Sequence, residues 1–151
     1  MGPVIRMRIA ALKVVLLAAA LLAAPAARAD IVVLKDPDAW MQDTVEKIKD
    51  RKFDEVTRDF FRLIDKPVSE PFAASLRGLG NMGDPVFIEK AADSRFGDVL
   101  RQVIWVGLYD QSTYVYFAFT IKKSRNGFAV TNFKFKTEAG QLFPEGYYTP
   151  D

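Results

Sequence analysis

Residues 98–137 read DVLRQVIWVGLYDQSTYVYFAFTIKKSRNGFAVTNFKFKT. Apolar and polar residues alternate here with a period of two, the signature of half-buried strands. Asp110-Gln111 and Asn126-Gly127 break the alternation, and Asn-Gly is a strong short-hairpin signal. The stretch therefore predicts three antiparallel strands, about 98–109, 113–124 and 127–137. A further strand, about 85–92, precedes them, with a loop over Asp93-Ser94-Arg95-Phe96-Gly97.

A two-residue loop at Asp110-Gln111 sets a register in which Ile104 faces Phe117 and Gln102 faces Phe119. That register gathers Leu100, Ile104, Val106, Leu108, Val115, Phe117, Phe119 and Ile121 on one face. It leaves Val103, Trp105, Tyr114 and Tyr116 as an aromatic patch on the other, a feature that marks interfaces. These four are the expected subunit interface. In the last strand, Phe128, Val130, Phe133 and Phe135 change parity between 130 and 133. One extra residue near Thr131-Asn132, a β-bulge, restores them to a common face and bends the strand.

Upstream the period becomes helical. Asp36 is an N-cap with Pro37 in the first turn, and Trp40, Met41, Val45 and Ile48 form one apolar side. A second helix is expected over about Asp54–Ile64, ended by Lys66-Pro67. A third opens at Ser69 or Glu70, carries Phe72, Leu76 and Leu79 inward, and stops at Gly80. The fold class is α+β, with three N-terminal helices packed on a bent four-stranded antiparallel sheet, a cone or roll.

The first 29 residues are of another kind. Arg6, Arg8 and Lys13 precede an unbroken apolar run from Val14 to Ala24; Pro25 and Ala27-Arg28-Ala29 follow. That order is expected of a cleaved secretory signal, and the run is too short to span a bilayer. Met7 begins an equally good signal. The chain then divides into a signal peptide at 1–29, an N-terminal extension at 30–37, the α+β domain at 38–137 and a tail at 138–151. The expected location is periplasmic or secreted, with membrane contact only in transit.

Residues 1–29 hold four of the 21 basic residues and none of the 19 acidic ones, so the remainder has 17 against 19, a net charge of −2. The basic balance belongs to the leader and argues for no nucleic-acid partner. The absence of histidine and cysteine removes imidazole bases, thiolate nucleophiles and the common zinc sites. No cofactor or metal is expected. Gly78-Leu79-Gly80-Asn81-Met82-Gly83 spells G-x-G-x-x-G, but the dinucleotide fingerprint needs a strand before it and a helix after it. Here a helix precedes and a strand follows. Lys122, Lys123, Arg125, Lys134 and Lys136 read as a solvated hairpin edge.

Lys52-Phe53-Asp54-Glu55-Val56, the step Arg77-Gly78-Leu79-Gly80 and the ending Phe128-Ala129-Val130-Thr131-Asn132-Phe133-Lys134-Phe135 carry a resemblance. Over residues 38–137 the chain resembles the nuclear-transport-factor-2-like superfamily, in its small exported bacterial members. The resemblance implies a cystatin-like cone of helices inside a curved sheet, and homodimers through the sheet's outer face. It implies no single activity, because members include isomerases, dehydratases, binding modules and assembly domains. The leading expectation is an exported, non-enzymatic, homodimeric binding or assembly domain. The alternative is a small-molecule enzyme or carrier using the apolar interior, with Gln102, Ile104, Phe117, Phe119 and Phe133 as pocket residues. A weaker option is binding of a protein partner through Ile31–Leu34 as an added edge strand.

Overall fold

The computed structural model describes residues 32–110 and 112–142. Three α-helices lead: α1 (Pro37–Lys49), α2 (Phe53–Leu63) and α3 (Glu70–Gly78), the last continued by a 3-10 turn at Leu79–Met82. Four strands follow: β1 (Phe87–Phe96), β2 (Leu100–Tyr109), β3 (Thr113–Ser124) and β4 (Gly127–Lys136). They form one open antiparallel sheet in the order β1-β2-β3-β4. The fold is α+β. The signal-peptide reading lies outside the described residues, as do Ile31 and most of the tail.

Each helix starts where local chemistry favours it. Asp36 caps α1, its carboxylate accepting from the Ala39 amide at 2.9 Å, with Pro37 behind it. Such a cap stabilises a helix by about 1 kcal/mol. Arg51, at φ 59°, reverses the chain into α2. The Ser69 carbonyl accepts from the Ala73 amide at 3.0 Å as α3 begins, without a side-chain cap. Gly80 does not end a helix; it lies inside the 3-10 turn. A Cβ there would stand 3.2 Å from the Phe53 ring and 3.3 Å from the Arg51 guanidinium, which donates to the Gly80 carbonyl. Close approach is the reason for this glycine. Gly83, at φ 83°, makes the exit toward β1.

One core closes between the helices and one face of the sheet. Met41, Val45 and Ile48 of α1, Val56, Phe60 and Leu63 of α2 and Leu76 of α3 meet Val103, Val115, Phe117, Phe119, Ile121, Val130 and Phe133. Phe119 stacks on Phe133 at 4.7 Å between centroids, and the Trp40 ring meets Phe119 edge-on at 5.6 Å. Offset and edge-on ring pairs of this kind each add about 1 kcal/mol beyond area burial.

The bulge in β4 lies where the parity change requires it. Thr120 pairs with Asn132 and Ile121 with Val130, so Thr131 is the extra residue, and its hydroxyl donates to the Thr120 carbonyl at 3.2 Å. Val130 and Phe133 are buried, and Phe128 and Phe135 pack against the same core. A second bulge, at Ala91 of β1, has no sequence counterpart in the reading above. The residues expected as a loop at 93–97 instead continue β1 to Phe96, and the turn sits at Gly97-Asp98-Val99, with Gly97 at φ 58°.

The β2–β3 register differs from the expected one by a single residue. Tyr109 pairs with Thr113, Trp105 with Phe117, Val103 with Phe119 and Ile104 with Ala118. Three residues, not two, make the turn, and its first, Asp110, is left-handed at φ 50°. Three-residue hairpin loops are a common class that accommodates such a residue. The shift leaves β3 as expected but exchanges the two faces of β2.

Candidate binding surfaces

The exchange of faces redistributes the expected site residues. Val103, 0% exposed, and Trp105, 8% exposed, point into the core with Phe117, Phe119 and Phe133. Tyr114 and Tyr116 stay on the outer face. The patch of Val103, Trp105, Tyr114 and Tyr116 is therefore not one surface. Gln102 and Ile104 pair with Thr120 and Ala118 and go to the outer face, away from the pocket proposed for them. Sequence could not separate the two registers by hydrophobicity, because both parities of β2 are apolar. Gly107 was the available signal. Its missing side chain makes room on the inner face, where a Cβ would lie 3.1 Å from Tyr109, 3.2 Å from Ile88 and 3.4 Å from Phe117.

The outer face is nevertheless apolar. Pairing places Ile104 beside Ala118, Val106 beside Tyr116, and Leu108 between Tyr114 and Phe87. None of these belongs to the core that the helices close. Tyr114 is exposed, while Val106, Leu108, Tyr116 and Phe87 are half-buried. Glu89, Lys134 and Lys136 flank the strip on the two edge strands.

A cleft of about 880 Å³ opens between α3 with its 3-10 turn and the ends of β3 and β4. Phe133 and Val115 form its floor, Phe72, Leu79 and Met82 its wall, and Lys134, Lys136 and Gln141 its rim. The Phe72 ring lies 5.8 Å from Phe133 and 5.6 Å from Phe135. No carboxylate among the described residues lines the cleft.

At the opposite end, Arg101 of β2 is held by two carboxylates, Asp38 at 2.8 Å and Asp93 at 2.7 Å. The guanidinium beside them holds both carboxyls below the usual range, against a smaller opposing effect of burial. A shallow pocket of about 360 Å³ adjoins this cluster and mixes Lys35, Arg95 and Lys123 with Asp36 and Asp98.

The interior carries little chemistry. Tyr109 is buried, its hydroxyl has no partner among the described residues, and burial pushes the phenol up to about 12. A phenol so placed stays protonated and is no base near neutrality. Thr57 Oγ1 and Trp105 Nε1 are also buried without partners among the described residues. No group of three or more metal-ligating side chains occurs among the described residues, and no described helix is long and apolar enough to cross a membrane.

Leu34, the end of the segment proposed as an added edge strand, meets the domain itself. Leu34 and Phe128 exchange two backbone hydrogen bonds, at 2.7 and 2.8 Å, in an isolated antiparallel bridge on the edge of β4. No protein-family model, no curated protein and no solved structure matches the chain.

Proposed function

We propose that this chain is an exported, non-enzymatic binding or assembly domain that pairs with a second copy of itself through the outer face of its sheet. The observation that carries the reading is the strip Val106, Leu108, Tyr114 and Tyr116, partly exposed and separate from the core that the helices close. Contiguous apolar surface rimmed by charge is the composition of an interface, and tyrosine is enriched there. The face lies about a strip that two copies can match by a two-fold axis, each presenting the same residues to the other.

The same reading takes the sheet as bent around the helices in a cone, in keeping with the nuclear-transport-factor-2-like resemblance. The bulges at Ala91 and Thr131 support that shape, since a bulge bends its strand and increases its twist. The non-enzymatic part draws support from the interior, where packed rings and a protonated Tyr109 supply no proton acceptor. Export, to the periplasm or the medium, draws support from the leader-like order of residues 1–29.

Light scattering on the chain from Asp30 tests the pairing, alongside Val106→Asp. A dimer that the substitution splits, with unchanged circular dichroism, is the expected result. A wild-type monomer, or a dimer indifferent to Val106→Asp and to Tyr116→Asp, would remove the outer face as the interface.

A further inference from the structure

Gly78 is the last residue of α3, with ordinary right-handed helical dihedrals of φ −57° and ψ −26°. Its backbone therefore has no need of glycine. Nor does its surroundings' packing, because a Cβ built there meets nothing within 4 Å. Glycine costs a helix about 1 kcal/mol relative to alanine. The one thing its bare Cα provides is space, and the space belongs to the cleft between α3 and β4, which Gly78 lines.

The cleft's lining sorts into two chemistries. Phe72, Leu79, Met82 and Phe133 are apolar, and Phe72 and Met82 are only half-buried, so part of each is left for a ligand. Lys134 and Lys136 stand at the rim on the edge strand, and neither pairs with a carboxylate among the described residues. Arg77, on the neighbouring helix α3, is taken up by Asp54 and Glu70 and leaves the two lysines as the cations at the rim. A volume of about 880 Å³ lies within the range of ligand sites.

We infer that this cleft binds a single-chain anionic amphiphile, a long-chain carboxylate, with the chain along Phe72, Met82 and Phe133 and the head group at Lys134 and Lys136. Two ammonium groups and no arginine suit a compact anion met as a point charge. Lys134 and Lys136 also flank the outer strip, beside Ala118 and Tyr116, so the inference is told apart from the pairing of two copies by Gly78 and Phe72, which lie on the helical side of the sheet.

Calorimetric titration of the chain from Asp30 with hexadecanoate, and with hexadecanol as the uncharged control, tests it. Saturable binding of hexadecanoate is expected, about tenfold weaker in Lys134→Gln/Lys136→Gln. Hexadecanol should bind more weakly and ignore the lysine changes. Gly78→Leu should abolish binding of both while leaving the circular dichroism and the oligomeric state unchanged. Absence of saturable binding overturns the inference, as does binding undiminished in Gly78→Leu. Equal affinity for hexadecanol overturns the anionic head group. Binding seen only after deletion of residues 143–151 would assign the cleft to the chain's own C-terminal segment, or to a site the deletion creates, and would also overturn it.

Discussion

Arg101 grips Asp38 with both terminal nitrogens, each 2.8 Å from a carboxylate oxygen, and so ties β2 to the first turn of α1. Its remaining donors go to Asp93 on β1, which makes one guanidinium the junction of three elements. The Arg101 side chain is 14% exposed, while Asp38 is half exposed, so solvent screens part of the attraction. We expect Arg101→Met to lower stability by about 1–2 kcal/mol in urea melts. Both carboxyls are depressed by hydrogen bonds from Arg101. A depressed carboxyl contributes stability above its unfolded value, here 3.8, and loses that contribution as pH falls through the folded value. Stability should therefore fall with acid below about pH 4, and the fall should be shallower in Arg101→Met.

Gly127 closes the β3–β4 hairpin at φ 147°, and a Cβ there would come within 2.5 Å of the Leu34 carbonyl. Both the dihedral and the neighbour forbid a side chain. Gly127→Ala should cost about 2 kcal/mol, read as a lower urea midpoint with an unchanged slope. Amide exchange at Leu34 and Phe128 should accelerate more than exchange in α2. Equal acceleration throughout would show that the bridge is not what the substitution breaks.

Tyr109 presents the reverse case. Its hydroxyl is buried without a partner among the described residues, so removing it removes a desolvation cost. Tyr109→Phe should leave stability unchanged or raise it by about 1 kcal/mol. The phenol is raised to about 12 by burial, so the folded state holds its proton more tightly than the unfolded chain. That contribution is full below the unfolded value of 10.0 and is lost as pH rises toward 12. Alkaline melts should show Tyr109→Phe resisting pH above 10 better than the wild type.

Gly78 offers a stabilising substitution. Its dihedrals suit alanine and its Cβ position is open. Gly78→Ala should raise stability by about 0.5–1 kcal/mol, partly by restricting the unfolded chain. A loss of stability instead would mean that the space over Gly78 is not free.

Much of the fold was legible because its signals were local. Asp36-Pro37 marks the start of α1 by chemistry that needs no tertiary partner. The parity change between Val130 and Phe133 exposes the β4 bulge, because a core-facing strand cannot switch faces without one. The β2 register was not legible, because one loop residue decides it and both sides of β2 are apolar. That residue moved Trp105 and Val103 to the helix-facing side of the sheet and Ile104 to the opposite side, where it is still buried. The outer apolar strip survived the exchange with different members. The cleft was missed for another reason: Gly78 read only as part of a glycine run between a helix and a strand, and the space above it shows only in three dimensions.

The Leu34–Phe128 bridge joins the start of the domain to the last strand. A ribosome delivers those two residues at opposite ends of the schedule. Leu34 therefore waits without its partner until nearly the whole domain has emerged. Once Phe128 arrives, that backbone is held against a folded edge, so the first residues of the domain are among the last to be fastened.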